Sequence, residues 1–464
     1  MSKTLREAQR SRLYRSEATP QEQRAALQSG DVPVAVYGLG RLGLPLSLVY
    51  AGTTGSVLGV GEDAERVARI EDGDCPIEDE PRLPSLVRTA TQAGALSATT
   101  ETTAAGNEAT VHVVATETGV RTDGAPDFSV LRTLLRDIAR GLDRNDLVLV
   151  ESVVPPGTCK DVVKPILMAG SGLDAGEFGV AACPTRASPG RSLRDMRGGY
   201  PKIVGGVDPE STRAAELVYD ELRISGVETV ETSTVAECAR IVGSVYRDVT
   251  VSLANELARL ADELGTDVRQ AIEAANTRSD CHVPEPRPGT GGHVLPDYPY
   301  YLINEYASPT PLLESARSVN ESMPEHLAGT LVREFASANT HIEDAVVLLL
   351  GLTHHPNVAE TRKSPAIELA KTLSGFGATV VGVDPHVDEA PEFDDIYLAG
   401  LDHVQEMDLD GVVLVTDHDA FDEFDWAAFE SPLVVLDSRD SLDPSTDPAV
   451  GTHHVATLGR SSSD

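Results

Sequence analysis

The stretch ValAlaValTyrGlyLeuGlyArgLeuGlyLeuPro at residues 34–45 decides the fold. Four apolar residues typical of a buried strand run into Gly38-x-Gly40-x-x-Gly43, and apolar residues then recur at helical spacing through Tyr50. In such a strand–turn–helix unit the first glycine permits a tight turn, the second lets the backbone approach a pyrophosphate, and the third allows close helix–strand packing. The stretch predicts dinucleotide binding; the alternative is a glycine-rich turn kept only for packing.

The acidic residue that should end the second strand of such a unit, where it binds the adenosine ribose, is missing from its expected place. The apolar run 56–60 ends at Gly61, and Glu62 and Asp63 follow. Glu62 would reach a ribose hydroxyl if the strand end were shifted by one residue. NAD is therefore the expected cofactor and Glu62 its expected ribose ligand, with NADP left open.

Short apolar runs alternate with helical patterns along most of the chain. The pattern predicts strands at 34–37, 56–60, 111–115, 147–150, 178–182 and 201–205, and a second series at 345–350, 380–385, 412–415 and 434–437. This alternation predicts an α/β protein with two Rossmann-like doubly wound domains joined by a central helical domain. The expected parts are an N-terminal extension (1–30), a dinucleotide-binding domain (31–225), a helical dimerisation domain (226–330) and a C-terminal domain (331–464).

One helical pattern without proline runs from about Thr232 to Leu264, broken at Gly243 and ended by Gly265. Its length exceeds that of ordinary globular helices, so we expect it at a domain or dimer interface. A solvent-facing connector is the alternative. The sequence thus predicts a homodimer or another homo-oligomer.

The charge balance restricts the partners of the protein. Its 464 residues carry 38 Lys and Arg against 73 Asp and Glu, a formal net charge of −35. Such acidity opposes binding to nucleic acids and anionic membranes, and it is typical of a halophilic protein surface. Five widely spaced cysteines, no CxxC, and no apolar run of about 18–20 residues predict a cytoplasmic protein without a disulfide framework.

Further stretches along residues 32–440 resemble one known family. They are GluSerValValProProGlyThr (151–158), AspGlyAlaProAspPheSer (123–129), ArgAspValThrValSerLeuAlaAsnGluLeu (247–257), GluAlaAlaAsnThr (273–277), ProGlyThrGlyGlyHis (288–293), GlyLeuThrHisHisProAsnValAlaGluThrArgLysSerProAla (351–366) and ThrAspHisAspAlaPhe (416–421). Together with the glycine turn they resemble the nucleotide-sugar 6-dehydrogenases, which include the UDP-glucose and UDP-N-acetylmannosamine dehydrogenases. The Asn-Thr and Gly-Gly-His segments are more similar to the acetylmannosamine branch.

The resemblance implies a function in surface-glycan biosynthesis. The family oxidises the C6 alcohol of a UDP-sugar to a carboxylate with two NAD⁺, and holds the aldehyde on a cysteine. The implied cofactor contacts are Gly38, Gly40, Arg41, Leu42, Gly43, Glu62, Thr118 and Arg362, although Arg362 could instead fix interdomain packing. The implied substrate contacts are Arg240, Ser244, Gly289, Gly291 and Gly292.

At the family's catalytic positions this chain carries other residues. The cysteine after Gly-Gly-His is Val294, the helix lysine is Arg240, the following asparagine is Ser244, and the glutamate of the Pro-Glu-Arg motif is Thr185. The aspartate four residues beyond the cysteine is Tyr298, with Asp297 one residue early, while Val153 and His355 replace a threonine and a lysine. Two hypotheses follow: a divergent or impaired dehydrogenase that performs a reduced reaction, or a non-catalytic regulatory protein that pairs with an active paralogue.

Two cysteines and two histidines lie in segments expected near the pocket, namely Cys183, Cys281, His282 and His293. They could bind a metal or supply a displaced nucleophile, but their spacing matches no zinc motif. We therefore expect buried thiols and loop histidines, a solvated His354–His355 pair, and no metal.

Overall fold

The computed structural model describes residues 11–222, 225–292, 294–387, 390–394, 396–429 and 431–461. The chain divides into two compact units, Met1–Val242 and Gly243–Asp464, which are described separately below. Across these described ranges, no helix combines the length and the apolar character needed to cross a bilayer.

The first unit is built on a sheet of eight short strands. Its strands are β1 (Val34–Tyr37), β2 (Val57–Val60), β3 (Leu96–Thr99), β4 (Val111–Val114), β7 (Leu147–Val150), β8 (Gly179–Ala182), β9 (Lys202–Gly206) and β10 (Val227–Thr229), with the small hairpin β5 (Gly119–Val120) and β6 (Pro126–Asp127) outside it. The spatial order is β10-β9-β8-β7-β4-β1-β2-β3, and every pair is parallel except β8–β9. The order reverses between β1 and β4, so a crevice opens at their carboxyl ends, where α/β folds bind ligands.

Helices cover both faces of this sheet. They are Pro20–Gln28, Gly43–Thr54, Ala64–Glu71, Leu83–Gln92, Thr102–Glu108, Ser129–Ala139, Lys164–Ser171, Ser192–Arg194 and Pro209–Glu221, with π-helical turns at Cys159–Val163 and Asp195–Gly199. Strands β1, β4, β7 and β8 are buried along their whole length. This is why they appear in the sequence as unbroken apolar runs rather than as alternating patterns.

The segment before β1 packs into the first unit. Leu13 and Tyr14 are each 1% exposed and belong to its hydrophobic core. Arg12 pairs with buried Asp146 at 3.1 Å, and Arg213 donates a hydrogen bond of 2.7 Å to the Leu13 carbonyl oxygen. The polar residues of this segment therefore hide two apolar anchors that fasten it to the sheet.

The second unit contains a six-stranded parallel sheet. Its strands are β11 (Val346–Leu350), β12 (Thr379–Val383), β13 (Tyr397–Leu398), β14 (Gly411–Leu414), β15 (Val434–Asp437) and β16 (His454–Thr457), in the order β13-β12-β11-β14-β15-β16. Its helices are Ala261–Leu264, Val268–Ala275, Val294–Asp297, Tyr300–Ile303, Pro311–Glu321, Met323–Ser337, Pro365–Gly375 and Leu401–Val404, with 3₁₀ turns at Pro391–Phe393, Asp419–Glu423, Trp426–Ala428 and Val450–Thr452. The doubly wound α/β class is confirmed in both units.

The long helix differs from its predicted form. It runs from Ser233 to Arg259 without interruption at Gly243, and the break comes at Leu260, before the short helix that Gly265 ends. A glycine inside a helix costs only about 1 kcal/mol relative to alanine, too little to break one that is otherwise stabilised by packing. The boundary between the two compact units nevertheless falls next to this glycine.

Candidate functional site

The glycine turn after β1 has the geometry of a dinucleotide fingerprint. Gly38 has φ +101°, and a Cβ there would lie 2.7 Å from the Ala115 carbonyl oxygen. A Cβ on Gly43 would lie 1.6 Å from the Gly38 carbonyl oxygen, so only glycine lets the helix start so close to the strand. Beside Gly40, by contrast, the nearest atom is 3.9 Å away, on Arg66. The backbone at Gly40 is thus open to a pyrophosphate, and the residues present fit a dinucleotide.

The other predicted cofactor contacts of the first unit surround this turn. Leu42 precedes helix Gly43–Thr54 and provides no side-chain cap. The Leu44 N–H donates to the Gly40 carbonyl oxygen at 3.1 Å and Pro45 has no N–H, so a ligand would meet the N–H groups of the turn itself and of Gly43. Arg41 donates hydrogen bonds of 2.9 and 2.8 Å to the two carboxylate oxygens of Asp79. Thr118 is buried in the segment after β4, the strand next to β1 at the order reversal.

Two carboxylates follow β2, and only one of them caps the next helix. Asp63 caps helix Ala64–Glu71 by accepting backbone N–H bonds from Glu65 and Arg66 at 3.0 and 3.2 Å. Glu62 is exposed. Of these two acids, Glu62 is therefore the one whose carboxylate is not committed to the helix cap.

Two of the family-position residues meet in the first unit. Arg240 donates its Nε–H to the Thr185 carbonyl oxygen at 2.8 Å, and the Thr185 hydroxyl donates to Glu151 Oε2 at 2.5 Å. Glu151 is 1% exposed and also pairs with Lys202, while the Tyr219 hydroxyl donates to its other oxygen at 2.6 Å. A buried ion pair is thus satisfied on every side, as burial requires.

A small cavity opens beside this cluster. Its volume is about 30 Å³, enough for a water molecule, and Glu151, Thr185 and Lys202 are among the residues that line it. Cys183 lies next to the cluster and is fully buried; burial raises the pKa of its thiol. Burial therefore disfavours Cys183 as a displaced nucleophile, because a protonated thiol is a poor nucleophile.

In the second unit the Gly-Gly-His loop is clamped by the segment after β11. A Cβ on Gly291 would lie 2.2 Å from the Cβ of His354, and one on Gly292 would lie 2.8 Å from the ring of the same histidine. The Gly292 N–H donates to the Arg362 carbonyl oxygen at 2.8 Å. Gly289 has φ +138°, and a Cβ there would lie close to the Asn320 carbonyl oxygen.

Val294 opens the short helix Val294–Asp297 that follows this loop. Asp297 is 3% exposed and forms an ion pair with Lys363, a residue held at φ +50°. Tyr298 is also buried and stacks on Tyr301 at 5.3 Å between ring centroids. The early aspartate is therefore neutralised within its own unit, and an aromatic core residue fills the next position.

A predicted substrate contact and a predicted cofactor contact, Ser244 and Arg362, lie in the second unit. Ser244 is buried on the long helix. The Arg362 guanidinium lies 3.6 Å from Glu360, and its side chain is 42% exposed.

Comparison with known proteins places the chain in a family. Models of the UDP-glucose/GDP-mannose dehydrogenase family match three consecutive parts: the NAD binding domain at residues 32–223, the central domain at 234–322 and the UDP binding domain at 348–444. The chain belongs to this family. The predicted relation to the nucleotide-sugar dehydrogenases is confirmed.

Individual relatives agree along nearly the whole chain. It is 31% identical over 424 residues to UDP-N-acetyl-D-mannosamine dehydrogenase of Pyrococcus horikoshii, with 90% of this chain and 97% of the relative covered. It is 31% identical over 422 residues to NDP-N-acetyl-D-galactosaminuronic acid dehydrogenase of Ralstonia nicotianae, with 88% and 95% covered. The solved structure of the Pyrococcus horikoshii enzyme superimposes with a TM-score of 0.83 at 30% identity, covering 92% of this chain and 99% of that one.

Sequence reasoning missed one cationic group of this dehydrogenase-family chain. Arg287, just before the Gly-Gly-His loop, has a buried Nε without a hydrogen-bond partner among the described residues. Burial and the nearby guanidiniums of Arg439 and Arg247 lower the pKa of Arg287 to about 10. In the sequence Arg287 appears only as a single arginine between two prolines. Its neighbouring guanidiniums come from other segments of the chain.

The thiols and histidines singled out above do not converge on a metal site. Within the described ranges, no group of three or more His, Cys, Asp or Glu could hold a metal ion. Cys281 is partly buried and His282 is exposed, while His293 lies outside the described residues. The His354 Nδ1–H donates to the Glu360 carbonyl oxygen at 2.9 Å, and the ring packs on the glycine loop instead of standing free in solvent.

Proposed function

We propose that this chain binds NAD and a UDP-sugar of the acetylmannosamine or glucose type, and that it oxidises the C6 alcohol of that sugar. The glycine turn carries this proposal, because two of its glycines admit no side chain while the third leaves the backbone open to a pyrophosphate. NAD, when bound, accepts the hydride. Backbone N–H groups of the turn and the helix start would hold its phosphates.

The residue at position 294 limits the chemistry. Oxidation of the alcohol to an aldehyde breaks the O–H and one C–H bond, sends the hydride to NAD⁺ and releases one proton, and it needs no covalent intermediate. Oxidation of the aldehyde to the acid in this family passes through a thiol adduct, which the valine side chain of Val294 cannot form. Since losing a nucleophile costs several orders of magnitude in rate, we infer that the reaction stops after two electrons.

The remaining family positions support binding better than proton transfer. Arg240 keeps a positive charge but does not give up a proton at neutral pH, and its Nε is used on Thr185. The Thr185 hydroxyl donates a hydrogen bond to Glu151. Thr185 also stands where the family has an ionisable carboxylate. We therefore propose Arg240 as a fixed cation for a developing oxyanion or for the substrate.

Calorimetry in molar KCl with NAD⁺ and a panel of UDP-sugars tests the binding part. A ligand that binds the native state raises its stability, so thermal unfolding gives a second readout. We expect saturable binding of NAD⁺ and of at least one UDP-sugar. Failure of both ligands to bind, with the protein folded, would overturn the proposal.

A second candidate is a non-catalytic subunit that binds both ligands and regulates an active paralogue. The replacements at positions 185, 240 and 294 favour it. They change the positions that are catalytic in the family, while the glycine scaffold that would hold the ligands is kept. It predicts ligand binding with no NADH formed from any sugar. Detectable NADH formation decides for the dehydrogenase.

The setting of this function is a cytoplasmic, halophilic homodimer in surface-glycan biosynthesis. Large apolar side chains stay exposed along the second unit's part of the long helix and its continuation, namely Tyr246, Leu253, Leu260 and Leu264. Their spacing of seven, seven and four residues is that of a helix–helix seam, which supports a dimer. The net charge of −35 supports a solvent shell adapted to salt.

A further inference from the structure

We propose that the dinucleotide site of the first unit also accepts a phosphate on the adenosine 2′-oxygen, with Arg66 as its ligand, so that NADP binds as well as NAD. The inference rests on the proposed function, since it concerns the same glycine turn. It addresses which dinucleotide the site selects, a property decided by the residues after β2.

The position whose acidic residue selects against NADP in such folds carries a glycine here. An acidic side chain at the end of the second strand accepts the ribose 2′-hydroxyl and repels a phosphate. In this chain that position is Gly61, and a Cβ on it would lie 3.1 Å from Val67 and 3.4 Å from Leu39. The site therefore has neither the acid nor ready space for one.

The carboxylates next to Gly61 replace that acid only in part. Asp63 holds its oxygen on the backbone N–H groups of Glu65 and Arg66, which fixes it at the helix start. Glu62 is exposed, and its side chain can turn toward solvent without loss of side-chain entropy. An exposed carboxylate in molar salt repels a phosphate weakly, because the Debye length there is about 3 Å.

A cation lies close to both the end of β2 and the glycine turn. Arg66 lies in the first turn of helix Ala64–Glu71, and its Nη1 is the nearest atom to the open face of Gly40. The planar guanidinium matches a phosphate with two parallel hydrogen bonds. An arginine close to the second strand is also the residue type that accommodates this phosphate in dinucleotide-binding folds.

The neighbouring acids set the limit of the effect. Glu62, Asp63 and Glu65 all lie within four residues of Arg66, so the patch is not strongly cationic. We therefore expect comparable affinities rather than a preference for NADP. The dissociation constants should lie within about tenfold of each other, whereas sites with an acid at this position separate the two cofactors far more.

Titration calorimetry of the full chain in molar KCl with NAD⁺, NADP⁺, 5′-AMP and adenosine 2′,5′-bisphosphate tests the inference. Arg66→Gln should weaken NADP⁺ and the bisphosphate at least about tenfold, the loss expected for a charge-assisted hydrogen bond, and weaken NAD⁺ and AMP less than about threefold. The matched control is Arg69→Gln on the same helix, whose guanidinium pairs with Asp74 at 2.6 Å. It should change none of the four affinities.

The outcomes separate the two proposals. NAD⁺ binding with NADP⁺ weaker by more than about a hundredfold would overturn the inference and leave the proposed function standing. Equal losses for all four ligands in Arg66→Gln would place Arg66 on the pyrophosphate side and also overturn it. Binding of no dinucleotide would overturn the proposed function itself. Unchanged thermal unfolding of Arg66→Gln verifies that the variant is folded.

Discussion

In the proposed function, three side chains limit the chemistry of this scaffold: Thr185, Arg240 and Val294. Their identities were visible in the sequence, and the family resemblance gave each position its meaning. The structure adds that Arg240 contacts Thr185. The Thr185 hydroxyl in turn donates to Glu151, which forms a buried ion pair with Lys202. That pair could not be predicted, because its members are 51 residues apart and lie at the ends of two different strands.

Restoring the family side chains tests these positions together. The triple variant Val294→Cys, Arg240→Lys, Thr185→Glu should gain formation of a sugar acid that the parent lacks, by several orders of magnitude in rate. Mass spectrometry of the product checks it. The variant Val294→Ala, Arg240→Lys, Thr185→Glu lacks only the thiol and should form no acid; acid formation by this control would show that no covalent adduct is needed.

Glu237 shows how burial can outweigh hydrogen bonding in setting the pKa of a carboxyl group. Its carboxylate accepts N–H bonds from Gly157 and Cys159 at 2.6 and 2.7 Å, yet burial raises its pKa to about 7. The folded state then holds a proton that the unfolded state has lost. Its contribution to stability is complete below about pH 4.5 and falls as pH rises toward 7.

We expect Glu237→Gln to remove this pH dependence. Relative to the variant, the wild type should lose up to about 3 kcal/mol of unfolding free energy between pH 5 and pH 8. Urea unfolding across that range measures it. Glu256→Gln, on the exposed side of the same helix, is the matched control for loss of a surface carboxylate. A parallel pH dependence in wild type and Glu237→Gln would contradict the account.

At the scale of elements, the strands were predictable and the helix boundary was not. Strands β4 and β7 are buried on both faces, so their apolar runs mark them within one residue. The interruption predicted at Gly243 fails because helix continuity depends on packing around the glycine, which no local pattern contains. The tight turn after β1 and its close helix packing were predictable, because the spacing of Gly38, Gly40 and Gly43 after a strand marks that geometry.

Two alanine variants separate folding from binding in this turn. Gly43→Ala forces a Cβ onto the Gly38 carbonyl oxygen, and we expect a loss above about 4 kcal/mol or failure of the first unit to fold. Gly40→Ala meets only Arg66 at 3.9 Å, so stability should change by less than about 1 kcal/mol while NAD⁺ affinity falls at least about tenfold. Denaturant unfolding and calorimetry measure both; unimpaired NAD⁺ binding by Gly40→Ala would contradict the assignment of the turn.

At the scale of the whole molecule, charge and association decide behaviour. The net charge of −35 predicts self-repulsion that salt relieves, and the proposed ligands are themselves anions. We therefore expect their phosphates to meet backbone N–H groups and arginine side chains rather than the acidic surface. Arg287 was hidden from sequence reasoning because its setting depends on Arg247 and Arg439, which lie in other segments of the chain.

The exposed seam on the long helix predicts the oligomeric state. Leu253→Glu places a charge among Tyr246, Leu260 and their symmetry mates, and should convert a dimer into a monomer in light scattering. Glu273→Gln, an exposed carboxylate on helix Val268–Ala275 outside this seam, serves as the control and should leave the mass unchanged. A wild-type protein that is monomeric at micromolar concentration in molar KCl would refute the seam.

The ratio of NADH formed to UDP-sugar consumed tests the central claim most directly, because acid formation releases two NADH per sugar and aldehyde formation releases one. With Val294 at the nucleophile position, we predict that the wild-type chain, given excess NAD⁺ in molar KCl, forms at most one NADH per sugar and no uronic acid. A ratio of two, with the acid identified by mass spectrometry, would contradict the account.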